Sequence, residues 1–267
     1  MTLNEIERAL RDLRLSGIAA TLNTRVMPAQ SSQQPPSWKP SPLCLQDELD
    51  RRRSRLAERR FELSRLEERL TLGDFDWRLN PKLPRQACFD LHRLKFIGEG
   101  ANALIIGKPG TGKSHIAKAV GYQATLQGHD VRYVGADTEF AQFALSTPAE
   151  QAAMLATYVE PDLLVLDDLL LARRISDASA EVLQTVVHQR YKRRRWRRWR
   201  RWRRSIIVTS NRVLQDWGNY LGDATMGTTI LDRLMHHAVM LEFEGKSYRL
   251  KAAAARLALN TLTTTDQ

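Results

Sequence analysis

The residues Gly107-Lys108-Pro109-Gly110-Thr111-Gly112-Lys113-Ser114 satisfy every fixed position of the pattern G-x-x-x-x-G-K-[ST]. Glycines at those positions let backbone N–H groups turn inward around phosphate oxygens, and a helix starting there adds its partial positive charge. Lys113 is expected to reach the β and γ phosphates of a nucleoside triphosphate, while the Ser114 hydroxyl ligates Mg2+. His115 completes the stretch expected to line the nucleotide. The apolar run LLVLDD at 163–168 ends in two adjacent carboxylates. Asp167 is expected to hold the Mg2+ shell, and Asp168 to polarise a water for in-line attack on the γ-phosphate. An Asp at 168 reaches less far than a Glu, so its fit to that role is looser than the fit of Asp167 to the metal. A third apolar run, SIIVTSN, ends in Asn211, whose amide is suited to orienting the water and sensing the γ-phosphate.

These side chains need a scaffold that delivers them to one edge. From about residue 100 short apolar runs alternate with helical stretches: ANALIIG (101–107), VRYVG (131–135), DLLVLDD (162–168) and SIIVTSN (205–211). Strand–helix alternation of this kind predicts an α/β fold around a central parallel sheet. The helix opened by Lys113 is expected to run to about Gln127 and to stop at Gly128. Residues 239–250 (VMLEFEGKSYRL) read as a terminal strand pair turning at Gly245.

The N-terminal part looks different. Thr2 and Glu5 form a capping-box pattern, and Ile6, Leu10, Leu13 and Leu22 recur at roughly helical spacing. Five prolines with Ser and Gln make 28–42 a linker or long loop. Across 43–70 a second helix is predicted. Leu49, Leu56, Leu63 and Leu70 fall every seventh residue there, as in a coiled-coil seam. Arg52, Arg53, Arg59 and Arg60 occupy the places of a second apolar row, so an amphipathic helix lying on DNA or on the core fits better. The expected organisation is a helical region over 1–70 that binds DNA or a partner, followed by a nucleotide-binding domain over 71–267.

The motifs together resemble the AAA+ ATPases, and more narrowly the IstB-like helper ATPases encoded beside transposases in insertion sequences, relatives of the DnaC helicase loaders. The stretches that carry the resemblance are LRLSGIAATL (13–22), LGDFDW (72–77), GKPGTGKSHIAKAVG (107–121), LLVLDDLLLARRIS (163–176), VTSNRVLQDWGNYLGDATMGTTILDRLMHHA (208–238) and EGKSYRLK (244–251). The resemblance implies an AAA+ core and ATP hydrolysis with Mg2+. It implies an ATP-dependent homo-oligomer on DNA, mainly nonspecific duplex, and a transposase partner that stimulates hydrolysis. It also implies that Arg233, in ILDRL, is an arginine finger acting in a neighbouring subunit, where its guanidinium neutralises charge on the transferred phosphoryl group. Arg249 is a looser match to a second sensor. His236 and His237 read as packing or surface residues. Two alternatives share the nucleotide chemistry: a helicase loader, and an ATP-gated DNA-binding module whose hydrolysis is vestigial.

Charge is the least family-like property of the chain. In 267 residues, 41 Lys and Arg oppose 30 Asp and Glu, a formal net charge of +11. Residues 190–204 (RYKRRRWRRWRRWRR) contain eleven basic residues and no acid, so the rest of the chain is formally neutral. The resemblance excludes this run, an insertion at about 193–204 between a helix and a strand that ordinarily lie ~2–6 residues apart. As a helix it would gather Trp196, Trp199 and Trp202 within an arc of roughly 120°. It could hold DNA through phosphates and stacked bases, lie on a membrane surface, or be a tolerated gene duplication. Two cysteines, Cys44 and Cys88, make neither a metal cluster nor a disulfide framework. With no apolar run near ~18–20 residues and no signal-peptide pattern at MTLNEIERAL, a cytoplasmic protein with no membrane partner is expected.

Overall fold

The computed structural model describes residues 8, 10–20, 42–170, 176–195, 204–221, 223–254 and 256. The Thr2/Glu5 box, Ile6, Leu22, almost all of the 28–42 linker, and Trp196, Trp199 and Trp202 lie outside the described residues. The chain divides into two compact units, Met1–Arg59 and Arg60–Gln267.

In the first unit, helical residues 16–20 are tied to helix α1 (Pro42–Ser64) by polar bonds. The Gly17 N–H donates to Oε2 of the buried Glu48 at 2.6 Å, and Arg51 donates to the Ser16 carbonyl at 2.6 Å. Helix α1 stops at Ser64, short of the expected 70, where the Ser64 hydroxyl bonds the Phe61 carbonyl and accepts the Leu66 N–H. Leu49, Leu56 and Leu63 are exposed on it, whereas Leu70 lies beyond the helix, packed on the core of the second unit.

The second unit is built on a five-stranded sheet of β1 (Asn102–Gly107), β2 (Val131–Gly135), β3 (Leu163–Asp167), β4 (Ser205–Ser210) and β5 (Ala238–Phe243). The strand order is β2-β3-β4-β1-β5 and every pairing is parallel. The interior strands of a parallel sheet are covered on both faces, which is why β1, β3 and β4 read as nearly unbroken apolar runs, while the edge strands β2 and β5 carry Arg132 and Glu242. Alternate residues enter two separate cores, as the two-residue period of a strand requires. Ala103, Ile105, Tyr133, Val165 and Ile207 pack under α2 (Arg85–His92), α3 (Lys95–Glu99) and α4 (Lys113–Leu126). On the opposite face Val134, Leu164, Leu166, Ile206 and Val208 meet the remaining helices. These are α5 (Ala136–Leu145), α6 (Pro148–Val159), α7 (Asp177–Arg195), α8 (Trp217–Leu221) and α9 (Ala224–Met235).

One expectation needs correction. Residues 239–250 do not form a strand pair: β5 is a single strand paired parallel to β1, and 248–254 are helical. The chain turns at Gly245, but no returning strand is needed to satisfy the backbone beyond it. The Lys246 N–H donates to Oδ1 of Asn80 at 2.7 Å, Asn80 Nδ2 donates to the Lys246 carbonyl at 2.9 Å, and the Tyr248 N–H donates to the Gly110 carbonyl at 2.8 Å. No helix among the described residues is long and apolar enough to cross a membrane.

Candidate nucleotide site

β1 delivers the phosphate-binding loop and α4 closes it. At Gly107 the backbone has φ +152°, and a side chain there would collide with the Phe243 carbonyl on β5. At Gly112, φ is +96° and a Cβ would fall on the Phe75 ring. Both positions therefore exclude other residues on conformation and on space. Within the loop the Thr111 hydroxyl and the Lys113 ammonium both donate to the Lys108 carbonyl, each at 2.8 Å. Lys108 and Pro109 are exposed, Thr111 and Lys113 buried, and Gly110, Ser114 and His115 intermediate. No side chain among the described residues caps the N-terminus of α4, which leaves its first amides for an anion.

Across from the loop, β3 and β4 end in the acidic and amide groups. Asp167 is 4% exposed and accepts two hydroxyl bonds, from Thr209 to Oδ1 at 2.5 Å and from Tyr133 to Oδ2 at 2.7 Å. Asp168 sits in the left-handed region at φ +51°, its N–H donating to the Thr209 hydroxyl at 2.8 Å. Burial, then the Asp167 charge, raise the Asp168 pKa against the opposing pull of Lys113 and Arg249. Lys113 donates to Oδ1 of Asn211 at 2.6 Å. Burial lowers the Lys113 pKa to about 8 even though Asp168 and Asp167 favour its charged form. Lys113, Asp167, Asp168 and Asn211 thus meet at the C-terminal ends of β1, β3 and β4. That is the edge at which open parallel sheets hold ligands.

Two segments brace the loop from outside; apart from Arg249, the looser match to a second sensor, the sequence gives their residues no role. In residues 64–80, Leu66 packs beside Gly121, the Thr71 carbonyl contacts Nε2 of His115 at 3.0 Å, and Phe75 lies against Gly112 and the His115 ring. His115 accordingly engages this strap. Residues 245–251 answer from the C-terminal side. Tyr248 packs on Phe75 and donates its hydroxyl to the Asp76 carbonyl at 2.6 Å, and Lys251 pairs with Asp76 at 3.1 Å. An open cleft of about 1000 Å³ borders the loop, lined by Leu79, Lys108, Pro109, Gly110 and residues 245–247 and 249–251. The LGDFDW and EGKSYRLK stretches were the sequence signal for these braces.

Arg233 stands elsewhere. It lines a small cavity with Asn102, Arg190, Tyr191, Arg204 and Ile206, at the N-terminal ends of β1 and β4. A six-residue strand spans ~20 Å, so within one chain Arg233 is a whole strand length from the phosphate loop. Asn102 holds that end of α9 by donating to the Leu234 carbonyl at 2.9 Å while accepting the Ile206 N–H at 3.0 Å. Beside it Arg190, 1% exposed, donates to the carbonyls of Tyr158, Val159, Pro161, Asp162 and Ser205. Arg204 bonds Oδ1 of Asp162 at 2.8 Å. His236 and His237 are exposed and make ring contacts with Tyr191 and with each other. Among the described residues no cluster of three or more metal-ligating side chains occurs.

An all-parallel sheet in this order, with a glycine loop after β1 and an acid pair after β3, defines a P-loop nucleoside triphosphatase fold of the AAA+ type. The chain belongs to the IstB-like ATP binding protein family, whose model matches residues 8–255. A relative in Pseudomonas aeruginosa, named as an ATP-binding protein of insertion sequence IS21, is 33% identical over 213 residues, covering 78% of this chain and 75% of its own. One in Mycobacterium tuberculosis, also named for an insertion sequence, is 27% identical over 252 residues, covering 94% and 96%. Among solved structures, DnaI superposes with a TM-score of 0.54 at 18% identity, covering 69% of this chain and 94% of DnaI. The replication initiator DnaA, bound to AMPPCP and single-stranded DNA, gives 0.52 at 22% identity, covering 68% of this chain and 52% of that one. At those identities the likeness is one of fold.

Proposed function

We propose that this protein is an ATP-hydrolysing helper of DNA transposition, assembling on duplex DNA with ATP and engaging a partner transposase. The observation that carries the reading is a division of the chemistry. Lys113, Asp167, Asp168 and Asn211 converge at one edge of the sheet, while Arg233 lies at the opposite edge. A subunit so built is an incomplete ATPase and becomes complete when a neighbour's Arg233 faces its loop. The insertion-sequence names of the relatives support the transposition setting.

In this reading the loop amides and the α4 N-terminus bind the phosphates, and the cleft bordered by Leu79, Pro109 and Leu250 takes the nucleoside. Phosphate oxygens are stronger partners for an ammonium than a neutral amide is, so nucleotide draws Lys113 away from Asn211. Asn211 is then free to orient the attacking water, and Asp168 to accept its proton. The Ser114 hydroxyl and the buried carboxylate of Asp167 are hard oxygen donors, the set that suits Mg2+. Bound there, the ion neutralises charge on the β and γ phosphates.

The test is multiple-turnover phosphate release with DNA and partner, using Lys113→Ala as the blank. Release no faster than that blank would leave the ATP-gated binding module, which the short reach of an aspartate at 168 favours. Mixing Arg233→Ala with Lys113→Ala chains is expected to restore activity, because one supplies an intact loop and the other an intact finger. A mixture as inactive as its components would remove the trans arrangement.

A further inference from the structure

Asp167 is buried, and among the described residues it forms no ion pair; two neutral hydroxyls hold its two oxygens. They come from the strands on either side of β3: Thr209 from β4 and Tyr133 from β2, in register with Val165. A carboxylate has about four acceptor positions, so one bond on each oxygen fixes its plane and leaves the other positions for a cation. Fixing a ligand in this way is the work of outer residues around a metal.

We propose that Tyr133 is a positioning residue of the nucleotide–metal site, holding Asp167 in the orientation in which it receives Mg2+ with ATP. The inference rests on the ATP-binding reading above and assigns a role that the motifs do not contain. Three features of Tyr133 suit it to this work. Its ring is buried in the core beneath α4, so the hydroxyl has little freedom to swing away. Burial and the Asp167 charge keep the phenol protonated, hence a donor. The Lys118 ammonium, itself paired with Glu67 at 2.7 Å, lies 5.3 Å from the ring centroid. A cation over the ring draws electron density from the phenol and strengthens its O–H as a donor. Glu67 belongs to the strap that braces the phosphate loop, so strap and carboxylate share one polar chain, Glu67–Lys118–Tyr133–Asp167.

Phenylalanine fills the same space, so Tyr133→Phe removes the hydroxyl and little else. The measurement is equilibrium binding of a fluorescent ATP analogue to the full chain, titrated with Mg2+ and repeated in EDTA, with no turnover required. The half-saturating Mg2+ concentration of Tyr133→Phe is expected to rise about tenfold, within the range for lost outer-shell partners. Its affinity for the analogue in EDTA should match wild type. Lys118→Met, which keeps the hydroxyl, should move the Mg2+ midpoint in the same direction by a smaller factor. Thr209→Ser, which keeps its hydroxyl, should leave it in place. A Tyr133→Phe midpoint within twofold of wild type, or an equal loss of affinity in EDTA, overturns the assignment. Wild-type protein that binds the analogue equally with and without Mg2+ overturns the metal role of Asp167 itself, and absence of binding overturns the ATP reading.

Discussion

Lys113 offers a titration that reads the loop directly. The residue is 4% exposed and burial holds its pKa near 8, although two carboxylates oppose the shift. Bound phosphates supply the charge that burial denies it, returning the pKa toward the ordinary ~10.4 of a lysine. Below pH 8 the ammonium is charged with or without nucleotide, and affinity is flat. Above pH 8 the free protein must take up a proton to bind, so affinity falls about tenfold per pH unit. By pH 9 that is a loss of about elevenfold, or ~1.4 kcal/mol. The sign for folding is opposite. Between pH 8 and the ordinary lysine value the unfolded chain binds more protons than the folded one, so the nucleotide-free protein gains stability as pH rises. Opposed slopes in one pH window are the signature. Fluorescent ATP-analogue titrations and urea unfolding at pH 7 to 9.5 measure the two arms. Lys113→Arg, charged throughout, is expected to give a flat affinity profile whatever its absolute Kd. The reasoning is refuted by wild-type affinity that stays constant to pH 9, or by an equal slope in Lys113→Arg.

Two further outcomes concern the base of the sheet. Arg190→Met removes a donor shared by five carbonyls in a buried setting, of which Asp162 keeps the Ser205 N–H, and is expected to cost on the order of 3–5 kcal/mol in urea unfolding; a loss under about 1 kcal/mol contradicts a structural role. Deleting 196–203 while keeping Arg204 should leave nucleotide binding and melting temperature intact and flatten the salt dependence of DNA affinity. An unchanged salt slope removes any DNA role for the run, and a large fall in melting temperature shows that it is part of the fold.

Much of the nucleotide edge is legible in sequence because its determinants are local. The loop motif spans consecutive residues, and the acid pair and Asn211 each end an apolar run whose strand character is plain. The groups that orient them are distant in sequence and visible only once the sheet order is known. Tyr133 and Asp167 are 34 residues apart, Thr209 and Asp167 are 42, and Asn80 and Lys246 are 166. The misread hairpin at 239–250 has the same origin. Alternating apolar residues around a glycine look like a strand pair, but β5 pairs with β1, well over a hundred residues earlier, and the Asn80 amide replaces the returning strand. Arg190 is the converse case. By composition it is one more charge in a basic run, yet packing makes it an interior residue, because helix and strand ends converge five carbonyls on it.

The two arginines at the ends of that run have a consequence for how such a chain can vary. Arg190 and Arg204 act as a pair of gateposts, each anchored in the body of the protein by contacts that none of residues 196–203 supplies. A change in length or charge confined to residues 196–203 is therefore expected to leave those anchors, and the strand that leads to Asn211, in place. On that expectation the two anchors mark a splice point, where the charge of the chain can be altered independently of the nucleotide chemistry a strand length away.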